Sequence, residues 1–87
     1  MLNVTLGARV RLSRKLARRK ATDDVAMRFT RREGGWRLHP DHARPADTAI
    51  THEGRIVLLL DDNVSQAMAN RTLDIRDTEA GPRLMLR

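Results

Sequence analysis

The stretch GRIVLLLDDNVSQAMANRTLDI, Gly54 to Ile75, decides how this chain folds. Ile56-Val57-Leu58-Leu59-Leu60 is the one unbroken apolar run in the sequence, closed by Gly54 on one side and by Asp61-Asp62-Asn63 on the other. Five β-branched and leucine residues between turn formers predict a strand covered on both faces, with all five side chains largely buried. Beyond it, Asp62 or Asn63 is placed to cap a short helix, Val64, Ala67 and Met68 fall on one face at helical spacing, and Asn70 supplies a stop. Thr72-Leu73-Asp74-Ile75-Arg76 then alternates polar and apolar, the pattern of a half-buried strand. With so few residues between two strands, the short helix is expected to plug an open side of a sheet.

Upstream, Val25 to Arg31 alternates with Val25, Met27 and Phe29 inward and Arg28 and Thr30 outward. Glu33-Gly34-Gly35 then makes a hairpin turn, because glycine supplies the positive φ that tight turns require. Trp36-Arg37-Leu38 returns as the partner strand. His39 to Asp47 is polar, contains Pro40 and Pro45, and is expected to be the one long irregular connection. Thr48 to Thr51 is read as an edge strand that His52-Glu53-Gly54 turns into the central run. Downstream, Asp77 to Gly81 is another turn, and Pro82 to Leu86 pairs back, with Pro82 near a strand start where its missing N–H does least harm.

The N-terminal segment is different in kind. Met1 to Val4 reads as a short strand, and Thr5 caps a helix running to about Lys20. Leu6, Val10, Ala17 and Ala21 fall on one flank with Leu12 and Leu16 beside them, while Arg11, Arg14, Lys15, Arg18 and Arg19 fill the opposite arc. Arg9 and Lys20 fall near the expected buried side, where long stems can reach out to water. Residues 1 to 22 hold seven bases and no acid, and the other ten bases face eleven acids, so the net charge of +6 resides in this one segment.

At 87 residues the chain is expected to be one domain, residues 1–87, with one small core. Trp36 and Phe29 are its only aromatics, so aliphatic side chains and methionine fill that core. No cysteine is present, which excludes disulfides, thiolate metal sites and thiol nucleophiles. No stretch approaches the ~20 apolar residues that span a bilayer, and no secretory apolar region opens the chain, so a cytoplasmic location is the default expectation. The residues alone therefore give an α+β fold of six or seven short strands in mostly antiparallel sheets, with one longer basic helix and one short helix.

In that order of elements the chain resembles the HesB/IscA family, the A-type iron–sulfur carriers. The resemblance rests on Met1-Leu2-Asn3-Val4-Thr5 leading into a helix with Ala8, on Ala26-Met27-Arg28-Phe29 followed by Gly34-Gly35, and on His52-Glu53-Gly54-Arg55-Ile56-Val57-Leu58. It continues through Ser65-Gln66-Ala67, Thr72-Leu73-Asp74-Ile75 and Gly81-Pro82-Arg83-Leu84, and so spans nearly the whole chain. It implies a compact two-sheet β-sandwich. It also implies three cysteine ligands for a cluster or iron, one just after the Gly-rich turn and two in a Cys-Gly-Cys tail. Trp36 stands where the first would be, and the 87 residues end at Arg87 before such a tail. Cluster ligation by the family's means is thus not expected, and activity does not pass down with the fold.

Three functional expectations follow. The first is a non-enzymatic scaffold that binds another protein, related to iron–sulfur assembly or sulfur metabolism, with no cofactor of its own. The second takes Arg11, Arg14, Lys15, Arg18 and Arg19 as a contact for an acidic protein or, as the alternative, for nucleic acid through its phosphates. That helix carries no aromatic for base stacking and no amide side chain to read a base edge, and its apolar side has no Trp or Phe for a membrane surface. The third concerns metal. His39 and His42 are three residues apart, with His52, Asp41 and Glu53 as further ligand types, and imidazoles bind zinc or iron without thiolates. Pro40 between the first two argues for solvated loop histidines instead. No phosphate loop, nucleophile motif or catalytic carboxylate pair appears, and Asp61-Asp62 reads as a helix cap.

Overall fold

The apolar run at Ile56 forms an inner strand of a four-stranded sheet in a computed structural model that describes residues 1–87. In chain order the elements are β1 (Asn3–Val4), α1 (Leu6–Arg18), β2 (Val25–Arg32), β3 (Gly35–His42), β4 (Thr48–His52), β5 (Arg55–Leu60), α2 (Asp62–Ala67), β6 (Thr72–Thr78) and β7 (Gly81–Leu86). The larger sheet runs β3-β2-β5-β4 and the smaller β1-β6-β7. The architecture is the expected α+β arrangement of two sheets, one longer helix and one short helix.

All three expected hairpins are present: β2 with β3, β4 with β5, and β6 with β7. The sheets are nevertheless mixed, because two parallel pairings join these hairpins, β1 with β6 and β2 with β5. The parallel β2–β5 contact has a simple cause. β3 and β4 are the two outer strands of their sheet and run in the same direction, because the link between them carries the chain across β2 and β5 and toward the other end of the sheet. That link is shorter than the sequence suggests: β3 extends through Pro40 to His42, and residues 43–47 alone are irregular.

Val57, Leu58 and Leu59 are fully buried and Leu60 is 1% exposed, as a strand covered on both faces requires. Ile56 is only half-buried, since it sits next to the exposed Glu53-Gly54 turn at the strand's open end. One apolar cluster takes in Leu58 and Met27 from the larger sheet, Val4 and Leu73 from the smaller, Leu12 and Leu16 from α1, and Val64 and Met68 around α2. The short helix packs on β2 and β5, so it does plug the core. Asp61 is its cap, accepting from the Val64 N–H at 2.8 Å, one residue earlier than the sequence reading placed it. Asp62 and Asn63, the expected caps, are the first two residues inside the helix. Ala67, expected inward, is exposed.

The long helix sits in a different rotation from the one expected. Its buried line is Ala8, Leu12 and Leu16, while Leu6 is 70% exposed and Ala17 is exposed. Close approach selects this face: a Cβ on Gly7 would come within 2.9 Å of the Ile75 side chain, so the small residues Gly7 and Ala8 let the helix settle on β6. Thr5 caps α1 as expected, accepting from the Ala8 N–H at 3.2 Å. At the other end the Lys20 N–H donates to Ala17 O and the Ala21 N–H to Leu16 O. This is a Schellman closure in which Lys20, at φ 52°, holds the left-handed position that glycine usually takes.

Candidate partner-binding groove

The rotation of α1 divides the basic residues read from the sequence into two groups. Arg14, Arg18 and Arg19 are exposed, whereas Arg11 and Lys15 are half-buried and flank the apolar line of the helix. Beside them the structure opens a groove of two adjoining cavities, about 390 Å³ and 570 Å³, which share Lys15, Leu38, Arg83 and Leu84. The groove lies between α1 and the two strands β3 and β7, each an outer strand of its sheet. Arg11, Lys15 and Arg83 rim it; Trp36, Leu38 and Leu84 are among its apolar lining.

No carboxylate lines this groove, and no ion pair in the structure involves Arg11, Arg14, Lys15, Arg18, Arg19 or Arg83. The Arg11 Nε–H is enclosed and has no acceptor within the protein. The Lys15 ammonium is held below its ordinary pKa, first by loss of surrounding water and then by Arg11, Arg19, Arg18 and Arg83. Arg11 and Lys15 on α1 thus face Arg83 on β7 across the groove without a counter-charge. An anion there would offset the repulsion among them.

A second charged cluster has the opposite character, and it corrects the reading of Arg28 as an outward residue. Arg28 is 3% exposed. Its Nε donates to Asp41 Oδ2 at 2.7 Å, Nη1 and Nη2 donate to the two Asp47 oxygens at 3.0 and 2.5 Å, and Nη2 also reaches His42 O at 3.2 Å. The chain crossing between β3 and β4 brings Asp47 over β2, which closes the face that alternation assigned to solvent. The Arg28 hydrogen bond holds the Asp47 carboxyl below the usual range despite its burial. The His42 N–H, then Arg28, do the same for Asp41, and Arg28 itself is pushed well above the usual guanidinium value. Such a network fixes the crossing loop. It leaves no free group to act on a ligand.

His39 and His42 belong to β3 and not to a loop. Side chains alternate between faces of a strand, so residues three apart lie on opposite faces. His42 instead meets Asp24 at 3.2 Å, and His52 sits at 4.0 Å from Glu53. No group of three or more His, Asp and Glu side chains stands close enough to hold a metal ion. Trp36 is half-buried on β3, its ring 5.3 Å from that of Phe29 and with the Arg31 guanidinium 5.6 Å from its centre. Where the resemblance implies a thiolate there is thus an aromatic side chain packed into the core's edge. Clusters are held by cysteine thiolates, with histidine at most a partial substitute, so the residues present do not fit one.

Sequence reasoning found Arg11 and Lys15 but missed Arg83, Leu38 and Leu84, which complete the groove. The available signal was the alternation Trp36-Arg37-Leu38 and Arg83-Leu84-Met85, two short strands that each set a base beside inward apolar residues.

No protein-family model and no curated protein matches the sequence. Solved structures do match. Escherichia coli SufA, described as involved in the biosynthesis of iron–sulfur clusters, superposes with a TM-score of 0.72 at 20% identity, over 99% of this chain and 83% of SufA. IscA, solved with a [2Fe-2S] cluster, superposes with a TM-score of 0.59 at 15% identity, over 100% of this chain and 81% of IscA. With its two mixed sheets, long N-terminal helix and short plug helix, this cysteine-free chain has the HesB/IscA-like fold of the A-type carriers.

Proposed function

We propose that the protein is a non-enzymatic scaffold of the HesB/IscA-like fold that binds an acidic partner protein within iron–sulfur assembly or sulfur metabolism and carries no cluster itself. One observation carries this reading: the excess charge is gathered on α1 and beside it, wholly unpaired, in a chain with no thiolate to offer a cluster. The pathway rests on likeness of fold to SufA and IscA. Affinity capture from native extract tests it, comparing the wild type with a variant carrying Arg11→Glu, Lys15→Glu and Arg18→Glu. Charge reversal is expected to abolish capture of the partner, and salt to weaken the wild-type complex. An unchanged partner list refutes the reading. Retention of non-specific DNA by the wild type alone assigns the basic face to nucleic acid instead. Anaerobic reconstitution with iron and sulfide is expected to leave the purified protein colourless after desalting; retained visible absorbance refutes the non-carrier part.

A further inference from the structure

The groove between α1, β3 and β7 has a spacing as well as a charge. Arg11 and Lys15 are four apart on a helix, hence ~6 Å along its axis. Trp36 and Leu38 on β3, and Leu84 and Leu86 on β7, are two apart on strands, hence ~6.5 to 7 Å. Both repeats match alternate side chains of an extended peptide. A small inorganic anion would leave the apolar lining uncovered. The open mouth lies between two outer strands, but Pro82 has no N–H to give and interrupts β7 as a template for a continuous backbone ladder. Recognition therefore falls to side chains.

From this geometry we infer that the groove binds an extended acidic segment of a partner protein, in which carboxylates alternating with apolar side chains meet Arg11, Lys15 and Arg83 while the apolar residues cover Trp36, Leu38 and Leu84. This deepens the proposed scaffold reading and rests on it for the identity of the partner as a protein. Charge complementarity selects the occupant: the rim is entirely cationic, and no acid of the chain itself reaches it. The apolar lining selects a peptide over a nucleic acid backbone, whose phosphates bring no aliphatic groups. Arg14 and Arg19 lie outside this clasp and contribute only long-range attraction.

The lone tryptophan reports on the site directly, since Trp36 lines the groove. The probe is a blocked synthetic peptide, Asp-Leu-Glu-Val-Glu-Leu, titrated at low and high salt with Trp36 emission as readout, beside an oligonucleotide and inorganic phosphate. A saturable, salt-weakened change is expected with the peptide. Lys15→Glu and Arg83→Glu should each weaken it roughly tenfold or more, while Arg14→Glu and Arg19→Glu change it by no more than about twofold. Unaltered circular dichroism and thermal midpoint establish that each variant is folded. No saturable change with the wild type, equal affinity in Arg83→Glu, or tighter binding of the oligonucleotide at the same residues overturns the inference. Arg83 stands outside α1, which separates this inference from the reading beneath it. If helix charge reversal abolishes capture of the native partner but Arg83→Glu does not, the scaffold reading stands and the groove does not.

Discussion

Two clusters of arginine in this small domain meet opposite fates. Arg28 is buried and each nitrogen of its guanidinium is answered, by Asp41, by both oxygens of Asp47 and by a backbone carbonyl. Arg11 and Lys15 are half-buried with Arg83 nearby, and none has an acid. The two sets differ in depth, Arg28 buried and Arg11 and Lys15 half-buried, and they differ more sharply in pairing. The difference lies in who supplies the counter-charge. Where the chain supplies it, the cluster fixes the fold; where the chain withholds it, the cations stand unpaired beside the groove.

The largest expected effect is on the paired side. Arg28→Ala leaves the Asp47 carboxylate, itself 4% exposed at the side chain, buried without its cation. Breaking a buried pair in this way costs about 3–5 kcal/mol. For a domain whose whole stability is of order 5–15 kcal/mol that is a large fraction, and it should appear as a lower denaturation midpoint with an unchanged slope. A loss below about 1 kcal/mol would mean that the crossing loop simply swings Asp47 into water, and the contrast between the clusters would collapse.

The same network makes a smaller, pH-dependent contribution. Asp41 and Asp47 both titrate lower in the folded protein than in the unfolded chain. A carboxyl lowered by folding adds stability above its unfolded value, about 4, and that contribution disappears as pH falls through the lowered folded value. Thermal midpoints should therefore fall with acidification below about pH 4, and Asp47→Asn should flatten part of that decline while lowering the plateau near neutrality. Equal slopes in the variant and wild type would assign the acid sensitivity to other carboxyls, such as Asp74 and Asp24, which are also lowered.

On the unpaired side the expected change in stability is near zero or favourable. Arg11, Lys15 and Arg18 repel one another at helical spacing, each pair costing a few tenths of a kcal/mol. Replacing all three with Glu should leave the thermal midpoint unchanged or raised, in contrast to Arg28→Ala. A marked fall would show that the stems of Arg11 and Lys15 hold the helix down by packing.

What could be read from the sequence follows from how local each signal is. The run Ile56 to Leu60, the Gly34 and Gly54 turns and the Thr5 cap each report a local preference, and each appears in place. Arg28 was illegible because its burial depends on Asp41 and on the crossing after β3 that brings Asp47, 13 and 19 residues later, and alternation on β2 knows nothing of that loop. The rotation of α1 was misread for a related reason. Leu12 and Leu16, expected beside the buried flank, form its centre with Ala8, while Leu6 and Ala17 face out, and the fit of Gly7 against Ile75 favours that rotation. The groove inherits both difficulties, since it needs the helix turned correctly and two distant strands brought to its side.

The smallest prediction sharpens the comparison at the end of the basic helix. Lys20 closes α1 at φ 52°, a left-handed conformation that costs a residue with a Cβ roughly 1–2 kcal/mol and glycine almost nothing. Two other terms act at the same position. A positive charge just past a helix C-terminus is favourable by ~0.3–1 kcal/mol, whereas the neighbouring bases Arg18 and Arg19 oppose it. Lys20→Ala removes the charge and keeps the backbone strain; Lys20→Gly removes both. The difference between the two variants therefore isolates the backbone term, apart from the added freedom that glycine gives the unfolded chain, which takes back ~0.4–1 kcal/mol. Lys20→Gly should be the more stable of the pair by several tenths to about 1 kcal/mol in denaturant titrations of equal slope. If the two variants are equal, Lys20 leaves the left-handed region in solution and the Schellman closure opens. In that case α1 would end earlier, and the exposed Arg18 and Arg19 would belong to a frayed turn while Arg11 and Lys15 kept their places beside the groove.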